Sequence, residues 1–260
     1  MSIYLTGDTH IPVDVEKFNT RNFPEQKQMT KEDFVIVLGD FGLVWEEDRK
    51  HAWWRNYFQD KKFTTLWLDG NHENHDLLDQ MPVSEWHGGK IHRMGDSIIH
   101  LMRGQIYDIA GKSFFVFGGA ESHDKELRTP GIDWWAREEG NFREQTEAFV
   151  NLEARGNKVD YILTHTCPES LIWPMFNVEP TGSATGRFLD EVAKRVQYEK
   201  WYFGHWHMTK EMGKFSCHYH DFQHLLGRKY DLPEKEVRKK TVGWPYNRVK
   251  PSRGNKEIER

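Results

Sequence analysis

An aspartate and a histidine stand two apart in GDTH, at Asp8 and His10, just after the apolar run Ile3, Tyr4, Leu5. A run this short, apolar and rich in β-formers suits a buried strand. Residues i and i+2 of an extended chain point the same way, so both side chains can converge just past the strand end. A carboxylate and an imidazole meeting there suit a divalent metal. Gly-Asp-Thr is also good turn chemistry, and one such pair decides little.

The arrangement recurs. FVIVL (34–38) runs into GDFG, with Asp40; TTLWL (64–68) runs into DGNHEN, with Asn71 and His72. YILT is followed by His165, and WYF by GHWH, with His205 and His207. Five apolar runs thus each end in a residue that can bind a metal or move a proton. Ligands in open α/β folds gather beyond the carboxyl ends of the strands, so the five clusters can meet.

The elements needed to position them are legible. Strands are expected at 3–5, 34–38, 64–68, 98–102, 113–117, 161–163 and 201–203. A helix is expected over 45–60, with Trp54, Tyr57 and Phe58 on one face. Asn141 and Glu144 form a capping-box pattern for a helix ending near Gly156. Phe188, Leu189, Val192 and Val196 have helical spacing. Strands alternating with helices argue for stacked βαβ units. CHYHDF (217–222) reads as a further strand.

The chain has 260 residues, enough for one large α/β domain or two small ones; 37% are hydrophobic and 29% charged, and it has 11 Trp. Cys167 and Cys217 give no disulfide framework and fit a reducing compartment. The first residues are too briefly apolar for a signal peptide, and no segment is long enough to span a bilayer. A cytoplasmic protein with no membrane partner is expected. The formal net charge of −4 does not suggest a protein coated for nucleic acid. Residues 228–260, however, hold 11 Lys/Arg against 5 Asp/Glu, leaving 25 against 35 in residues 1–227. This stretch reads as a basic extension of a 1–227 catalytic domain, either a solubilising tail or a contact for nucleic acid or another acidic partner.

The series Asp-x-His, Gly-Asp, Gly-Asn-His-Glu, a lone His and Gly-His-x-His, from Gly7 to His207, resembles the calcineurin-like metallophosphoesterase superfamily. The resemblance implies an α/β fold of two packed mixed β-sheets flanked by helices, an αββα sandwich. It implies a dinuclear centre in which Asp8, His10, Asp40 and His207 hold one divalent ion. Asp40, Asn71, His165 and His205 would hold the second, with Asp40 bridging. It also implies a hydroxide held by the ions as nucleophile, with His72 as the catalytic histidine beside them. Two divalent ions outweigh the two carboxylates and one hydroxide, so such a site still attracts a phosphate anion. Oxygen and imidazole donors suit Mn, Fe, Zn, Co or Ni alike. The oligomeric state is not legible.

The remaining histidines carry less. His51, His75, His87, His92 and His100 lack a supporting pattern and read as surface or satisfied core residues. His123, in GGAESHD after the apolar FFVFG, reads either as a polar turn or as a substrate-binding residue approaching the centre with Asp124. His218, His220 and His224 read as sheet residues or a surface metal site. Cys167 reads as packed, and Trp134 and Trp135 as core or as a cover over the pocket.

Departures from the serine/threonine phosphoprotein phosphatase branch narrow the substrate. That branch has an Asp and an Arg after Gly-Asp and an Arg before Gly-Asn-His; here Phe41 to Trp45 follow, and Asp69 precedes Gly70. General phosphomonoesterase or phosphodiesterase activity is therefore expected. Arg93, Arg103, Arg128 or Arg137 could replace the missing phosphate grip, and Glu46 or Glu73 could orient His72. The alternatives are a nuclease or nucleic-acid end-processing phosphatase that uses the basic stretch, and a non-catalytic scaffold, which would have lost ligands.

A chain ending at Gly227 should fold and hydrolyse a small aryl phosphate at close to the full-length rate. If residues 228–260 serve a polyanion, the truncation should weaken only that substrate, and the full-length advantage should shrink as salt rises. An insoluble or inactive truncation would place the stretch on the domain, with Trp244, Pro245 and Tyr246 as its anchor.

Overall fold

The computed structural model describes residues 1–227, so the expectations for 228–260 lie outside the described residues. Among the described residues, thirteen strands form two sheets. They are β1 (Ile3–Thr6), β2 (Phe34–Leu38), β3 (Thr64–Leu68), β4 (Val83–Trp86), β5 (Gly89–Arg93), β6 (Ile98–Leu101), β7 (Gln105–Ile109), β8 (Lys112–Phe117), β9 (Tyr161–Thr164), β10 (Lys200–Phe203), β11 (Lys210–Met212), β12 (Phe215–Cys217) and β13 (Gln223–Leu226). The helices are α1 (Arg49–Gln59), α2 (His75–Asp79), α3 (Phe142–Ala154), α4 (Glu169–Phe176) and α5 (Ala184–Arg195).

One sheet runs β13-β1-β2-β3-β6-β5-β4 and the other β11-β12-β10-β9-β8-β7. The middles are parallel, β1-β2-β3-β6 and β12-β10-β9-β8, and antiparallel strands close each edge. The expected sandwich of two mixed sheets is thus observed. Alternation along the strands explains the layers. Ile36, Leu38, Leu66 and Leu68 face Phe114, Val116 and Leu163 between the sheets. Val35, Val37 and Trp67 face outward with Phe58 of α1 and Leu78 of α2. On the far side Phe117, Ile162 and Trp201 pack with residues of α3, α4 and α5. Strands buried on both faces must be apolar throughout, which is why FVIVL shows no alternation.

Several boundaries differ from expectation. The first long helix starts at Arg49, not at residue 45, because Asp48 caps it, its side chain accepting from the His51 amide at 2.7 Å. Phe58 is buried as expected, while Trp54 and Tyr57 are half-buried. The capping box is present: Asn141 accepts from the Glu144 amide at 3.0 Å, and Glu144 accepts from the Asn141 amide at 2.9 Å. That helix ends at Ala154, short of Gly156. CHYHDF is not one strand; β12 ends at Cys217 and β13 begins at Gln223. His218 bonds Asp221 at 2.7 Å and Ser216 at 2.9 Å, which turns the chain there. The hairpin strands β4, β5, β7 and β11 make the fold more than stacked βαβ units. Among the described residues, no helix is long and apolar enough to cross a membrane.

Candidate metal centre

The segments after β1, β2, β3, β9 and β10 converge. Asp8, Asp40 and His165 offer ligand atoms within 4.8 Å of one another, and so do Asp8, His10 and His207, and His10, Asp40 and His72. His10 Nε2 lies 3.2 Å from Asp40 Oδ2, and His207 Nε2 lies 3.0 Å from Asp8 Oδ2. His165 Nε2 lies 3.1 Å from Asn71 Oδ1 and 3.3 Å from Asp40 Oδ1. The His205 ring is centred 5.1 Å from that of His165. All seven residues of the expected ligand set are therefore brought together, with Asp40 central. A fourth acidic group, Glu46, Asp48 and His51, belongs to the cap of α1.

The backbone is bent to achieve this. His10, Asp40, His205 and His207 all have positive φ, at 41°, 47°, 68° and 46°. Non-glycine residues seldom adopt this region, at a cost of about 1–3 kcal/mol each, and such strain clusters at functional sites. Gly39, at φ 92°, is required twice over: its own conformation favours glycine, and a Cβ there would overlap the His165 ring.

The donors face one another in a way that calls for a cation. His165 Nδ1 sits 2.8 Å from the Leu38 carbonyl, so that nitrogen donates its proton. Its Nε2 then faces two acceptors, Asn71 Oδ1 and Asp40. The Asn71 orientation follows from its neighbours: the Ser122 hydroxyl donates to Glu138 at 2.6 Å, and Asn71 Nδ2 donates to Ser122 at 3.1 Å. His10 is flanked on both nitrogens, by Asp14 at 2.9 Å and by Asp40. Asp8 Oδ2 is buried, and the group that faces it is His207 Nε2 at 3.0 Å.

Protonation in the protein alone tells the same story. Burial acts to raise Asp8, but the neighbouring His207 and the charge of His165 hold it lowered to about 2. Burial also opposes the Asp40 carboxylate, and the charges of His165 and His72 keep it well below the usual range. Burial acts to lower His10 and His165, yet Asp14 and Asp40 raise the first to about 10, and Asp40 raises the second to about 9. Protons on imidazoles thus stand in for a cation. Two carboxylates, an amide oxygen and four imidazoles fit a pair of divalent ions, whose uptake would displace those protons.

The calcineurin-like phosphoesterase family profile matches residues 1–209. This chain belongs to the calcineurin-like phosphoesterase family. It is also 30% identical over 126 residues, 43% of its length, to lariat debranching enzyme A of Xenopus laevis, of which that stretch is 23%. A crystal structure from Staphylococcus aureus, provisionally described as a 5′-nucleotidase and solved with α-ketoglutarate, aligns over 84% of this chain and 48% of its own. The TM-score is 0.45 and the identity 16%. The chain therefore spans less than half of either relative.

The other expected site residues separate clearly. His72 donates its backbone N–H to Asp40 at 2.7 Å, and its ring is centred 5.2 Å from that of His10. His123 stacks on His205, ring centres 5.2 Å apart, so it approaches the centre rather than serving only as a turn. Glu73 does not orient His72: it is buried and accepts from the Phe41 and Gly42 amides at 2.7 and 3.2 Å, holding the loop of Asp40. Burial and the nearby Asp40 push its carboxyl well above the usual range. Glu46 is exposed. Arg103 is spent on Asp69 at 2.5 Å, Arg137 on Asp79 and Glu144, Arg93 is exposed on β5, and among the described residues only Arg128 reaches His72. Trp135 is buried, packs on Trp45 and donates to Asp76 at 2.9 Å, so it braces the loop rather than covering a pocket. Cys167 is buried and its thiol pushed up by burial, as expected of a packed residue. His75, His92 and His100 are core residues; His218 caps a turn, and His224 packs edge-on against Tyr4, so neither marks a surface metal site.

Sequence reading missed Lys17. It is buried, and its ammonium donates to the Gly7, Asp8 and Tyr219 carbonyls at 2.7, 2.7 and 3.1 Å. Burial lowers it to about 7, against the pull of Asp8, Asp14 and Asp221, but three acceptors match its three N–H donors. Nothing local in VEKF signals this; the carbonyls come from distant segments. Lys17→Met should lower the stability of the full-length protein by about 2–4 kcal/mol, because buried carbonyls are left unpaired. It should also weaken metal retention, since the Asp8 loop loses its brace. Urea denaturation and metal analysis after dialysis check both; unchanged values would show the lysine to be dispensable.

Proposed function

We propose that the chain is a metal-dependent phosphoric ester hydrolase, acting on phosphomonoesters or phosphodiesters through two divalent ions. Asp8, His10, Asp40 and His207 hold one, and Asp40, Asn71, His165 and His205 the other. The observation that carries this is Asp40, which faces His10 through one oxygen and His165 through the other, at 3.2 and 3.3 Å. Bound there, the ions would acidify a water and draw charge from the phosphoryl oxygens. The donor set leaves the choice among Mn, Fe, Zn, Co and Ni open.

The chain's own groups do the rest. Asp14, Leu38, Ser122 and Glu138 hold the ligating side chains in fixed orientations, which keeps reorganisation small during reaction. His72 is proposed to give a proton to the leaving oxygen; its ring beside that of His10 supports this. Burial, with the charges of His10, Arg128 and His165, lowers its proton affinity below the ordinary value against the pull of Asp40. His123, over His205, is proposed to line the substrate side of the centre. Two buried free cysteines accord with a reducing, cytoplasmic location. A scaffold without turnover is disfavoured because no member of the ligand set is missing.

A second reading, action on nucleic acid, is favoured by the similarity to an enzyme named for debranching lariats and by the basic composition of residues 228–260. Salt-dependent binding of RNA or DNA by the full-length protein, lost on truncation at Gly227, would support it.

Metal-replete protein should hold close to two ions per chain, and Asp40→Ala should lose most of both; a fully loaded wild type with one ion would refute the bridge. Phosphate release by protein reloaded with individual metals, over aryl monoesters, diesters, nucleotides, phosphopeptides and oligonucleotides, identifies the ester class. His72→Ala should keep its metal and lose about 10²- to 10⁴-fold in turnover of alkyl esters, and less for nitrophenyl esters, whose leaving group hardly needs a proton. Equal losses for both would remove the general-acid role.

A further inference from the structure

The turn between β12 and β13 lies beyond the stretch matched by the family profile, yet it is folded against the candidate metal centre. The His218 amide donates to the Phe203 carbonyl at 2.9 Å, just before the segment that carries His205 and His207. The same backbone passes directly over Gly7, where a Cβ would overlap the His218 carbonyl. This close approach requires glycine in front of Asp8. The Tyr219 carbonyl then accepts from the Gly7 amide at 3.2 Å, from the Thr6 hydroxyl at 3.2 Å and from Lys17 at 3.1 Å. The Tyr219 amide donates to Asp221 at 3.2 Å. Tyr219 is thus pinned through both of its backbone groups, and it is buried.

The Tyr219 ring lies flat on the imidazole of His207, with centres 4.7 Å apart and planes 12° apart. His207 is the most exposed of the seven candidate ligands, its side chain 49% open to solvent. An exposed imidazole is free to turn, and a ligating one is ordinarily held by a hydrogen bond at its other ring nitrogen. Asp14 supplies such a bond to His10 at 2.9 Å, and the Leu38 carbonyl supplies one to His165 at 2.8 Å. The Nε2 of His207 faces Asp8, and among the described residues no hydrogen bond reaches its Nδ1. A stacked ring takes the place of that bond. Tyrosine suits the task, since a pinned aromatic has little conformational freedom left and pairs favourably with another ring.

We propose that Tyr219 is a positioning residue of the metal centre, its ring fixing the orientation of the His207 imidazole for the ion shared with Asp8 and His10. This rests on the two-ion reading above. In this role Tyr219 touches neither ion nor substrate, and the turn that carries it is part of the centre.

Calorimetric titration of the metal-stripped full-length protein with Mn²⁺ tests this without reliance on turnover. Tyr219→Leu keeps an apolar side chain and every backbone bond but removes the stack. It should bind one of the two ions about 3- to 10-fold more weakly, the range a stacked aromatic pair supplies, and leave the other unchanged. Tyr219→Phe keeps the ring and should match wild type. In a His207→Ala background, Tyr219→Leu should add nothing, because a residue that acts through His207 has nothing left to hold. If Tyr219→Leu does not fold, Tyr219→Met carries the same comparison. Unchanged affinity for both ions in a folded variant overturns the proposal. An equal loss in Tyr219→Phe also overturns it, by assigning the effect to the hydroxyl beside Asp14. So does an undiminished loss in the His207→Ala background, which would make Tyr219 a support of the fold alone. A wild type that takes up a single ion sinks the two-ion reading, and the positioning proposal then stands or falls on whether Tyr219→Leu weakens that ion. A wild type that takes up none sinks both.

Discussion

Two buried carboxylates, Asp8 and Asp40, set the terms for everything around them. Each is almost fully withdrawn from solvent, and together they place two negative charges at one spot in a medium of low polarity. Burial of unpaired charge is among the costliest acts in a fold. The protein arranges imidazoles against both, and a proton or a metal ion must sit between. A cluster of this kind is stable only when protons or other cations complete it.

The surrounding architecture follows from that demand. Acidic and imidazole groups from five separated segments can share a point because parallel strands deliver their ends to one edge of each sheet. The two sheets then bring β1, β2 and β3 against β9 and β10. Left-handed backbone at His10, Asp40, His205 and His207 turns the side chains inward. The cost of that backbone must be met elsewhere, and the buried strands and three apolar layers meet it.

A second set of residues fixes the first. Asp14 holds His10, Leu38 holds His165, Ser122 and Glu138 orient Asn71, and Glu73 and Lys17 tie the loops beneath Asp40 and Asp8. The imidazoles and amide are therefore held with little freedom left to lose, as ligands of an ion would need to be. The segment after β8 adds groups from above, His123 at one end of the centre and Arg128 at the other.

Sequence by itself determined the parts governed by local pattern. Unbroken apolar runs such as FVIVL and TTLWL gave strands buried on both faces, and the residues just past them gave the side chains that folding brings together. Asn141 and Glu144 declared a helix start because a capping box is made within four residues. The start at Arg49 was hidden, since Trp45 and the acids after it look helical until Asp48 is seen to cap. Edge strands such as β4 were hidden because exposed, polar strands carry no core signature. Only the tertiary structure decided the roles of Lys17, Glu73 and Arg128. Their partners Tyr219, Phe41 and His72 lie 202, 32 and 56 residues away along the chain, and no local spacing encodes such meetings. A ligand at a strand end is announced by the strand, whereas a residue that holds a ligand's loop is defined only by what folding brings beside it.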